Sequence, residues 1–314
     1  MFYIPCLGLH FGNYHKNRVT PPSNYKLVFN DDFKCFDDKK WALPEQWEDF
    51  QPFNIKQHWQ TDMNDGLVVC GADGLTLKIK NKPKTYNIKD FDWNRDEIKN
   101  ALNITNNDYE WTIPTECGKI KSKKCFLYGW FEANIKLPKG YGYWPAFWLS
   151  GAHSWGPEID IFEGYTINGE NYDKIINCGS LSYKKDFWRI ESNIHYGDST
   201  ITNSIDSMND TKAKEHYTKN ANERYVQYVC HWTNDFIKIY YDGQLVRCCD
   251  NKDIMKWFNN TYNPTDYEKR HNGNRYNAEM CILLNHGIDN EIKGLPQCDN
   301  SHNHMYIKDI KVYQ

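Results

Sequence analysis

Three carboxylates, Glu158, Asp160 and Glu163, lie within six residues of one another in the segment GPEIDIFEGY. Alternation of acidic and apolar residues is typical of a half-buried strand, and such a strand with a solvated acidic face is the simplest interpretation. A strict period of two, however, turns Glu163 towards the isoleucines, where burial of a carboxylate is costly. One extra residue near Ile161 and Phe162, accommodated as a β-bulge, returns all three acids to one face. We therefore predict a bulged strand that carries an acidic row.

The chemistry that such a row supports is acid and base catalysis by paired carboxylates. Three acids on one rigid strand repel one another, which raises the pKa of at least one and keeps it protonated near neutral pH. Cleavage of a glycosidic bond with retention of configuration needs a nucleophilic carboxylate and a protonated one, with the carboxyls about 5–5.5 Å apart. Glutamates at the outer positions are long enough to lean together, and Asp160 between them can hydrogen-bond Glu158.

Other chemistries compete for these residue types. Clustered carboxylates also bind calcium, but alternate positions on one face of a strand do not wrap a cation as a loop does. Catalysis by a serine-histidine-aspartate triad has no local support, because the sequence contains no GxSxG segment. His302 and His304 have the spacing of a metal pair, but a solvated loop is the better interpretation there. We expect neither a metal nor another cofactor.

Short apolar and aromatic runs must form the elements that position these acids. Gly, Asn and Asp turns separate the runs, a pattern that predicts an all-β sandwich or barrel of antiparallel strands. Asp242-Gly243 suits a tight type I′ turn between two of the runs. Helical periodicity is confined to 94–102 and 253–258. The strand candidates are YKLVF, GLVVC, LTLKIK, YGWFEANIKL, YWPAFWLSG, EIDIFEG, NIHYG, YVQYVCHW, FIKIYYDGQLV, EMCILLN and MYIKDIKVY.

Three long polar segments, 81–117, 197–222 and 251–277, separate these runs. They are rich in Asn and Lys without a repeat, and loops of this length are usually functional or disordered. We interpret them as loops on one sandwich and not as linkers between domains, and we expect the first and third, which contain Trp and Tyr, to form ordered walls around a site. The predicted organisation is a leader, 1–23, followed by one catalytic domain, 24–314.

Composition excludes some partners and favours others. A net charge of −3 gives no electrostatic reason to expect nucleic acid or an anionic membrane as partner, and no apolar run reaches the roughly 18 residues that span a bilayer. The rings of the 12 Trp and 22 Tyr suit contact with sugars as well as core packing. Cys70, Cys230 and Cys281 lie in apolar runs, where free, buried thiols are expected. The N-terminal segment lacks the basic and apolar regions of a signal peptide.

The acidic segment resembles a known signature. EIDIFE is similar to the ExDxxE motif of glycoside hydrolase family 16, in the bulged form found in its laminarinases, agarases, porphyranases and carrageenases. Further segments fall in the family's order, so the resemblance extends from Asn24 to Gln314. They are YKLVFNDDF, FEANIKLPKGYGYWPAFWLSG, NIHYG, HWTNDFIKIYYDGQLV, ILLN and MYIKDIKVYQ. The family implies a concanavalin A-like β-jelly-roll sandwich of two antiparallel sheets, whose concave sheet forms a glycan cleft.

The resemblance also implies a role for each acid. Glu158 would be the nucleophile, Asp160 its assisting carboxylate and Glu163 the acid/base. His195, in NIHYG, matches a family position beside the acid/base, with a surface histidine at a strand end as the alternative.

Other family positions imply residues that bind the substrate. Trp144 and Trp155 would stack on sugar rings, with core packing as the alternative for either. The positions that match cleft-lining residues are Asn54, Glu132 and Trp232.

The sequence departs from the family pattern at several positions. Asn134 stands where members often have an Arg, which bears on recognition of the glycone side of the substrate. Lys308 stands where many members have an acid that holds calcium, so bound calcium is not expected. Pro157 replaces a common Gly, and Trp155 lies closer to Glu158 than is usual in laminarinases, which leaves the substrate open.

The function that the resemblance implies is endo-acting hydrolysis of internal β-glycosidic bonds in a polysaccharide, with retention of configuration. A β-1,3- or mixed-linked glucan is the first substrate expected, and a β-galactan of the agar, porphyran or carrageenan type is the second. The alternatives are a transglycosylase and a non-catalytic carbohydrate-binding or virion adhesion module, although a lectin has no need for a paired acid and base. We expect a monomer that acts outside the cell, as the family does, or that is associated with a virion.

Overall fold

The chain folds into two β-sheets packed face to face. The computed structural model describes residues 2–4, 9–11, 18–45, 56–91, 95–139, 142–152, 157–166, 187–197, 208–210, 214–219, 221–252, 254–255, 279–289 and 303–314. The strands within these ranges are β1 (Phe2–Ile4), β2 (Leu9–Phe11), β3 (Leu27–Asp31), β4 (Trp41–Ala42), β5 (Gln57–Trp59), β6 (Val68–Gly71), β7 (Gly74–Leu77), β8 (Ile79–Asn87), β9 (Glu110–Cys117), β10 (Lys119–Phe126), β11 (Gly129–Lys136), β12 (Tyr143–Gly151), β13 (Glu158–Thr166), β14 (Phe187–Gly197), β15 (Met208–Asp210), β16 (Lys214–Lys219), β17 (Val226–Trp232), β18 (Ile237–Tyr241), β19 (Gln244–Cys249), β20 (Met280–Ile288) and β21 (Met305–Tyr313). The helical elements are α1 (Arg95–Leu102) and the 3-10 turns Met63–Asp65 and Ile88–Asp90.

The acidic strand β13 lies within one of the two large sheets. This sheet, called the site sheet below, has the strand order β15-β14-β13-β12-β20-β10-β4, and β16 also pairs with β14. The other, called the back sheet, has the order β19-β18-β17-β11-β21-β7-β6, and β3 also pairs with β21. Neighbouring strands within both are antiparallel, which confirms the predicted sandwich. A smaller sheet has the order β5-β9-β8, and β1 pairs with β2.

Apolar and acidic residues alternate along β13, so one face of this strand packs into the core although the strand carries three acids. Ile159, Ile161 and Phe162 are fully buried in the core between the sheets. The ring of Phe162 packs on Tyr228 of β17, with ring centroids 4.4 Å apart. Burial of each such side chain contributes roughly 1.5–3 kcal/mol. The apolar side of β13 therefore anchors the strand and leaves its other side to the carboxylates.

Local sequence signals are confirmed at the hairpin and at the helix. Asp242 and Gly243 join β18 to β19 with φ angles of 44° and 82°, and a type I′ turn requires positive values at both positions. The helix predicted at 94–102 is α1. Of the second predicted helix, residues 254–255 are described, and both are helical.

The first long polar segment, 81–117, is not a loop, contrary to the prediction. It contains most of β8, the turn Ile88–Asp90, α1 and β9. A separate apolar cluster holds these elements together, in which Tyr86 and Trp111 stack with ring centroids 5.7 Å apart and Ile98 is fully buried. The apolar residues of this cluster are few and are separated by Lys and Asn, so the polar composition of the segment predicted a loop. The second segment, 197–222, is not wholly a loop either, since it contains β15 and β16, which pair with β14. A role of the first and third segments as walls of a site stays a prediction.

The cysteines include one disulfide that the sequence did not indicate. Cys125 of β10 and Cys281 of β20 are register partners with Cα atoms 4.3 Å apart, and they form a disulfide. The prediction of a free thiol at Cys281 is therefore wrong, because strand pairing supplies a partner 156 residues away in sequence. Cys70 and Cys230 are free, as predicted, and burial raises the pKa of both thiols.

The end of the predicted leader contacts the back sheet. Arg18 donates from Nη2 to Asn134 Oδ1 at 2.8 Å, and the carbonyl oxygen of Val19 accepts from Gln227 Nε2 at 3.1 Å. The domain boundary at residue 23 stays a prediction. Among the described residues, no helix is both long enough and apolar enough to cross a membrane.

Candidate active site

A β-bulge interrupts β13 between Asp160 and Glu163. On β12, the two steps from Ala146 to Trp148 oppose the three steps from Asp160 to Glu163. The same offset occurs against β14. The extra residue is accommodated in the Ile-Phe pair that follows Asp160, which confirms the predicted bulge. As a result, Glu158 and both other acids lie on the face of the site sheet that points away from the core.

The acids differ in their surroundings. Glu158 and Asp160 are 8% and 3% exposed, whereas Glu163 is somewhat more exposed. His195 of β14 is the register partner of Glu158, and its Nε2 lies 3.0 Å from Asp160 Oδ2 and 3.6 Å from Glu158 Oε1. A protonated imidazole there forms an ion pair with Asp160 and lends positive charge to Glu158. His195 contacts the other two acids and its charge also acts on Glu163, and the position beside the acid/base that the resemblance implied stays a prediction.

Glu163 has the surroundings of a general acid. Trp144 of β12 donates from Nε1 to Glu163 Oε1 at 3.0 Å. Burial raises the pKa of Glu163 to about 8, and repulsion from Asp160 acts in the same direction. The hydrogen bond from Trp144 and the charge of His195 lower that pKa. Glu163 therefore holds a proton at neutral pH. Trp144 is half-buried and contacts the acid directly, and its role in stacking on sugar stays a prediction.

Residues beyond Trp144 on the same face were missed by the sequence analysis. Trp148 is the register partner of Asp160 and donates from Nε1 to Asn285 Oδ1 of β20 at 2.7 Å. Lys119 of β10 pairs with Asn285, and its Nζ lies 5.3 Å from the centroid of the Trp148 ring. The period of two from Trp144 to Trp148 was a usable signal. Lys119 and Asn285 arrive there through strand order, which the sequence does not state.

Two residues predicted to line the cleft lie elsewhere. Trp232 of β17 is fully buried between the sheets, where its ring lies edge-on to Tyr128 at a centroid distance of 5.2 Å. Glu132 of β11 lies on the outer side of the back sheet, because its neighbours Phe131 and Ala133 point into the core. Both predictions are wrong, since β11 and β17 belong to the back sheet and not to the sheet that carries the acids.

Asn134 lies on the same outer side of β11 and is hydrogen-bonded to Arg18 and Asp309. Its replacement of a family Arg therefore does not concern the acid-bearing face, which corrects the expectation about the glycone side. Asn54 and Trp155 lie outside the described residues, and their roles stay predictions.

One group of side chains in this site has the spacing of metal ligands. Glu158, Asp160 and His195 each offer an atom within 4.8 Å of the others. The 3.0 Å distance between Asp160 and the imidazole is also that of a direct ion pair, in which a protonated ring supplies the positive charge that a metal ion would bring. The expectation of a metal-free site stays a prediction.

Comparison with known proteins identifies the family. A sequence model described as glycosyl hydrolases family 16 matches residues 56–278. The alpha subunit of clotting factor G from Tachypleus tridentatus is 23% identical over 291 residues, which is 89% of this chain and 35% of that protein. Endo-1,3-1,4-beta-glycanase ExsH from Rhizobium meliloti (strain 1021) is 34% identical over 79 residues, which is 24% of this chain and 16% of that protein. The chain thus spans about a third or less of the length of these relatives.

Solved structures share the fold. SCLam, described as a non-specific endo-beta-1,3(4)-glucanase from family GH16, has a TM-score of 0.59 at 19% identity, over 95% of this chain and 94% of that chain. A structure from work on endo-acting O-glycanases that human gut microbiota express to initiate mucin breakdown has a TM-score of 0.61 at 22% identity, over 95% of this chain and 93% of that chain. These likenesses confirm the jelly-roll fold. Because the family match extends over most of the chain and includes the bulged acidic strand, this protein belongs to glycosyl hydrolases family 16.

Proposed function

We propose that this protein is an endo-acting β-glycanase that hydrolyses internal β-glycosidic bonds of a polysaccharide with retention of configuration. The observation that carries the proposal is the pairing of two unlike carboxyls on one bulged strand. Glu163 is protonated at neutral pH, whereas Glu158 lies beside the imidazole of His195. One strand thus offers a proton donor and a nucleophile on the same face, as the retaining mechanism requires.

In the first step, the carboxylate of Glu158 attacks the anomeric carbon and forms a glycosyl ester. Glu163 gives its proton to the glycosidic oxygen, so the leaving chain departs as a neutral alcohol. Trp144 is bound to Oε1 of Glu163, which leaves the other oxygen to carry the proton. Asp160 remains ionised through its contact with His195, and its charge keeps Glu163 protonated until the leaving group needs the proton.

In the second step, Glu163 is ionised and acts as a base. It takes a proton from a water molecule, whose oxygen attacks the anomeric carbon and releases Glu158 as a carboxylate. Glu163 regains its proton and the cycle closes. Two inversions at one carbon give a product with the starting configuration.

For the substrate, we propose a β-1,3- or mixed-linked glucan. Support comes from the named activities of two similar proteins, an endo-1,3-1,4-beta-glycanase and an endo-beta-1,3(4)-glucanase. We expect the site sheet to curve into a groove that is open at both ends, which suits binding within a chain. Such a polymer and the family both favour action outside the cell.

A screen of purified protein tests the proposal. Laminarin, lichenan, agarose, porphyran and carrageenan are offered separately, and new reducing ends are measured. We expect cleavage of laminarin or lichenan, with mixed oligosaccharides as early products. Cleavage of the galactans alone would replace the substrate, and tight binding without cleavage would replace the enzyme by an adhesion module.

Proton NMR of the first products tests retention. We expect the β-anomer to appear first and then to equilibrate with the α-anomer. A 2-fluoro glycoside should label Glu158, and the variant Glu158→Gln should not be labelled. First appearance of the α-anomer, or a label on another residue, would contradict the double-displacement mechanism.

A further inference from the structure

The underside of the bulge is held from the back sheet. A bulge disrupts the ladder of backbone hydrogen bonds, so polar backbone groups near it need other partners. Tyr241, at the end of β18, is fully buried and donates from its hydroxyl to the carbonyl oxygen of Ile161 at 2.7 Å. Ile161 is one of the two residues between Asp160 and Glu163, so this contact is made where β13 departs from regular pairing.

A second contact reaches the strand beside the bulge. Ser192 of β14 is fully buried and lies between the register partners of Asp160 and Glu163, hence opposite the bulge. Arg247 of β19 is 5% exposed. It donates from Nε to Ser192 Oγ at 2.9 Å and from Nη2 to the carbonyl oxygen of Ser192. A guanidinium between two sheets is costly unless it is hydrogen-bonded and paired, and two of its donors are used on the residue that faces the bulge.

Aromatic packing joins the same elements. Phe162, the other bulge residue, packs on Tyr228, and Tyr228 lies edge-on to Tyr241 at a centroid distance of 5.1 Å. Tyr241 and Arg247 belong to the two strands of one hairpin, joined by the type I′ turn at 242–243. One hairpin of the back sheet therefore carries both polar contacts to the bulge region.

We propose that Tyr241 and Arg247 are positioning residues, which fix the bulge from the core side and so set the relative positions of Asp160 and Glu163. The proposal rests on the function proposed above, in which Glu163 must reach the leaving oxygen. A misplacement of about 1 Å can reduce the rate of an enzyme about 100-fold. The charge of Arg247 also attracts that of Asp160, and an ionised Asp160 favours a protonated Glu163.

Conservative variants test the proposal. Tyr241→Phe removes one hydroxyl, and Arg247→Met removes the guanidinium at similar length. Ile239→Val is the matched control, because Ile239 is fully buried in the same hairpin and is the register partner of Arg247. Each variant is assayed on the polysaccharide, whose leaving group needs a proton, and on a dinitrophenyl glycoside, whose leaving group does not.

For Tyr241→Phe and Arg247→Met, we expect kcat/KM on the polysaccharide to fall about 10- to 100-fold. The loss on the dinitrophenyl glycoside should be several-fold smaller, since that substrate does not use the proton of Glu163. A variant that merely destabilises the fold loses active protein and is affected equally on both substrates. Ile239→Val should stay within about two-fold of the wild type on both. Equal losses on both substrates in the two test variants would overturn the proposal.

NMR titration of Glu163 with ¹³C-labelled glutamate gives a readout that does not depend on activity. In the wild type, we expect titration near pH 8. The pKa should change in Tyr241→Phe and Arg247→Met, because a displaced bulge alters the separation of Glu163 from Asp160, and not in Ile239→Val. A wild type that cleaves no polysaccharide would refute the proposed function alone, whereas an unchanged titration in both test variants would refute the positioning role.

Should Arg247→Met fail to fold, Arg247→Lys takes its place under the same criteria. Lysine keeps the positive charge but lacks the planar fork that directs two donors at Ser192. Its expected effect is smaller than that of Tyr241→Phe but has the same dependence on the leaving group. An Arg247→Lys enzyme that matches Ile239→Val in both assays and in the titration would remove Arg247 from the proposal.

Discussion

Strands β11 and β13 lie in facing sheets, and both alternate apolar with polar residues, yet their carboxylates have opposite surroundings. On β11, Glu132 accepts hydrogen bonds from Trp130 Nε1 at 3.0 Å and from Gln227 Nε2 at 3.3 Å. The Nζ of Lys311 lies 3.8 Å from its other oxygen. The strand is regular there, and donors from the back sheet stabilise the negative charge. Glu132 is therefore surrounded by groups that stabilise its ionised form, as expected of a carboxylate that supports the fold.

On β13, the acids face one another and are brought together by an irregularity. Glu163 accepts a hydrogen bond from Trp144 and lies near the negative charge of Asp160. Burial and repulsion therefore raise the pKa of Glu163, whereas the nearby histidine stabilises the charge on the other two acids. A buried carboxylate can act as a general acid when its neighbours keep it protonated, and the bulge determines which groups are the neighbours of Glu163.

The largest difference between the two strands should appear in activity. Glu158→Gln removes the carboxylate of the proposed nucleophile with little change of shape, and we expect kcat/KM to fall about 10⁴-fold or more. Glu132→Gln is the matched control on β11 and should stay within about two-fold of the wild type. Initial rates on the polysaccharide measure both. Comparable losses in the two variants would mean that β11 also contributes to the reaction.

Glu163→Ala should have the next largest effect, and one that depends on the leaving group. Loss of a general acid reduces the rate about 10²- to 10⁴-fold where the leaving oxygen needs a proton. With a dinitrophenyl glycoside, formation of the glycosyl ester should proceed, and azide should accelerate its release because it needs no general base. A β-glycosyl azide, detected by mass spectrometry, is the expected product. A variant that is equally impaired on both substrates and unaffected by azide would point to a structural role for Glu163.

The bulge could be predicted from sequence because its cause is local. A strict period of two buries Glu163 among isoleucines, and that conflict is visible within six residues. The turn at Asp242-Gly243 is likewise determined by two adjacent residues that tolerate positive φ. A structural feature that is determined by residues adjacent in sequence, such as this bulge or this turn, can be predicted from the sequence.

Sheet membership could not be predicted, because it depends on long-range pairing. The segments FEANIK and YWPAFW alternate in the same way, yet the first contributes Glu132 to the outer side of the back sheet and the second contributes Trp148 to the acid-bearing face. Lys119 and the disulfide partner of Cys281 were missed for the same reason. A resemblance assigns roles by position along the chain and does not state to which sheet a strand belongs. Glu132 was therefore given a role in the cleft although its strand lies in the back sheet.

Stability should change in opposite directions on the two strands at alkaline pH. The folded-state pKa of Glu163, about 8, lies above the ordinary value of 4.5, so its contribution to stability is present in acid and is lost as pH rises through about 8. Glu163→Gln never acquires that charge, and at pH 9 its free energy of unfolding should exceed that of the wild type by up to a few kcal/mol. Glu132→Gln loses charge-assisted hydrogen bonds and should be destabilised by about 1 kcal/mol. Urea unfolding at pH 6 and pH 9, followed by Trp fluorescence, measures both variants, and a Glu163→Gln protein less stable than the wild type at pH 9 would contradict the raised pKa.

The smallest effect should follow removal of metal ions, and it distinguishes a proton from a cation as the partner of the acids on β13. Glu158, Asp160 and His195 offer atoms within 4.8 Å of one another, but the 3.0 Å contact between His195 and Asp160 also suits a direct ion pair with a protonated ring. If the protonated ring is the partner of Asp160, dialysis against EDTA should change kcat/KM by less than about two-fold, and it should shift Tm by less than about 1 °C, because no metal binding is coupled to folding. Added calcium, magnesium or zinc should not raise the activity of the dialysed enzyme. Loss of activity with EDTA and its recovery with one of these ions would make β13 a metal-holding strand and would replace His195 as the charge that stabilises Asp160.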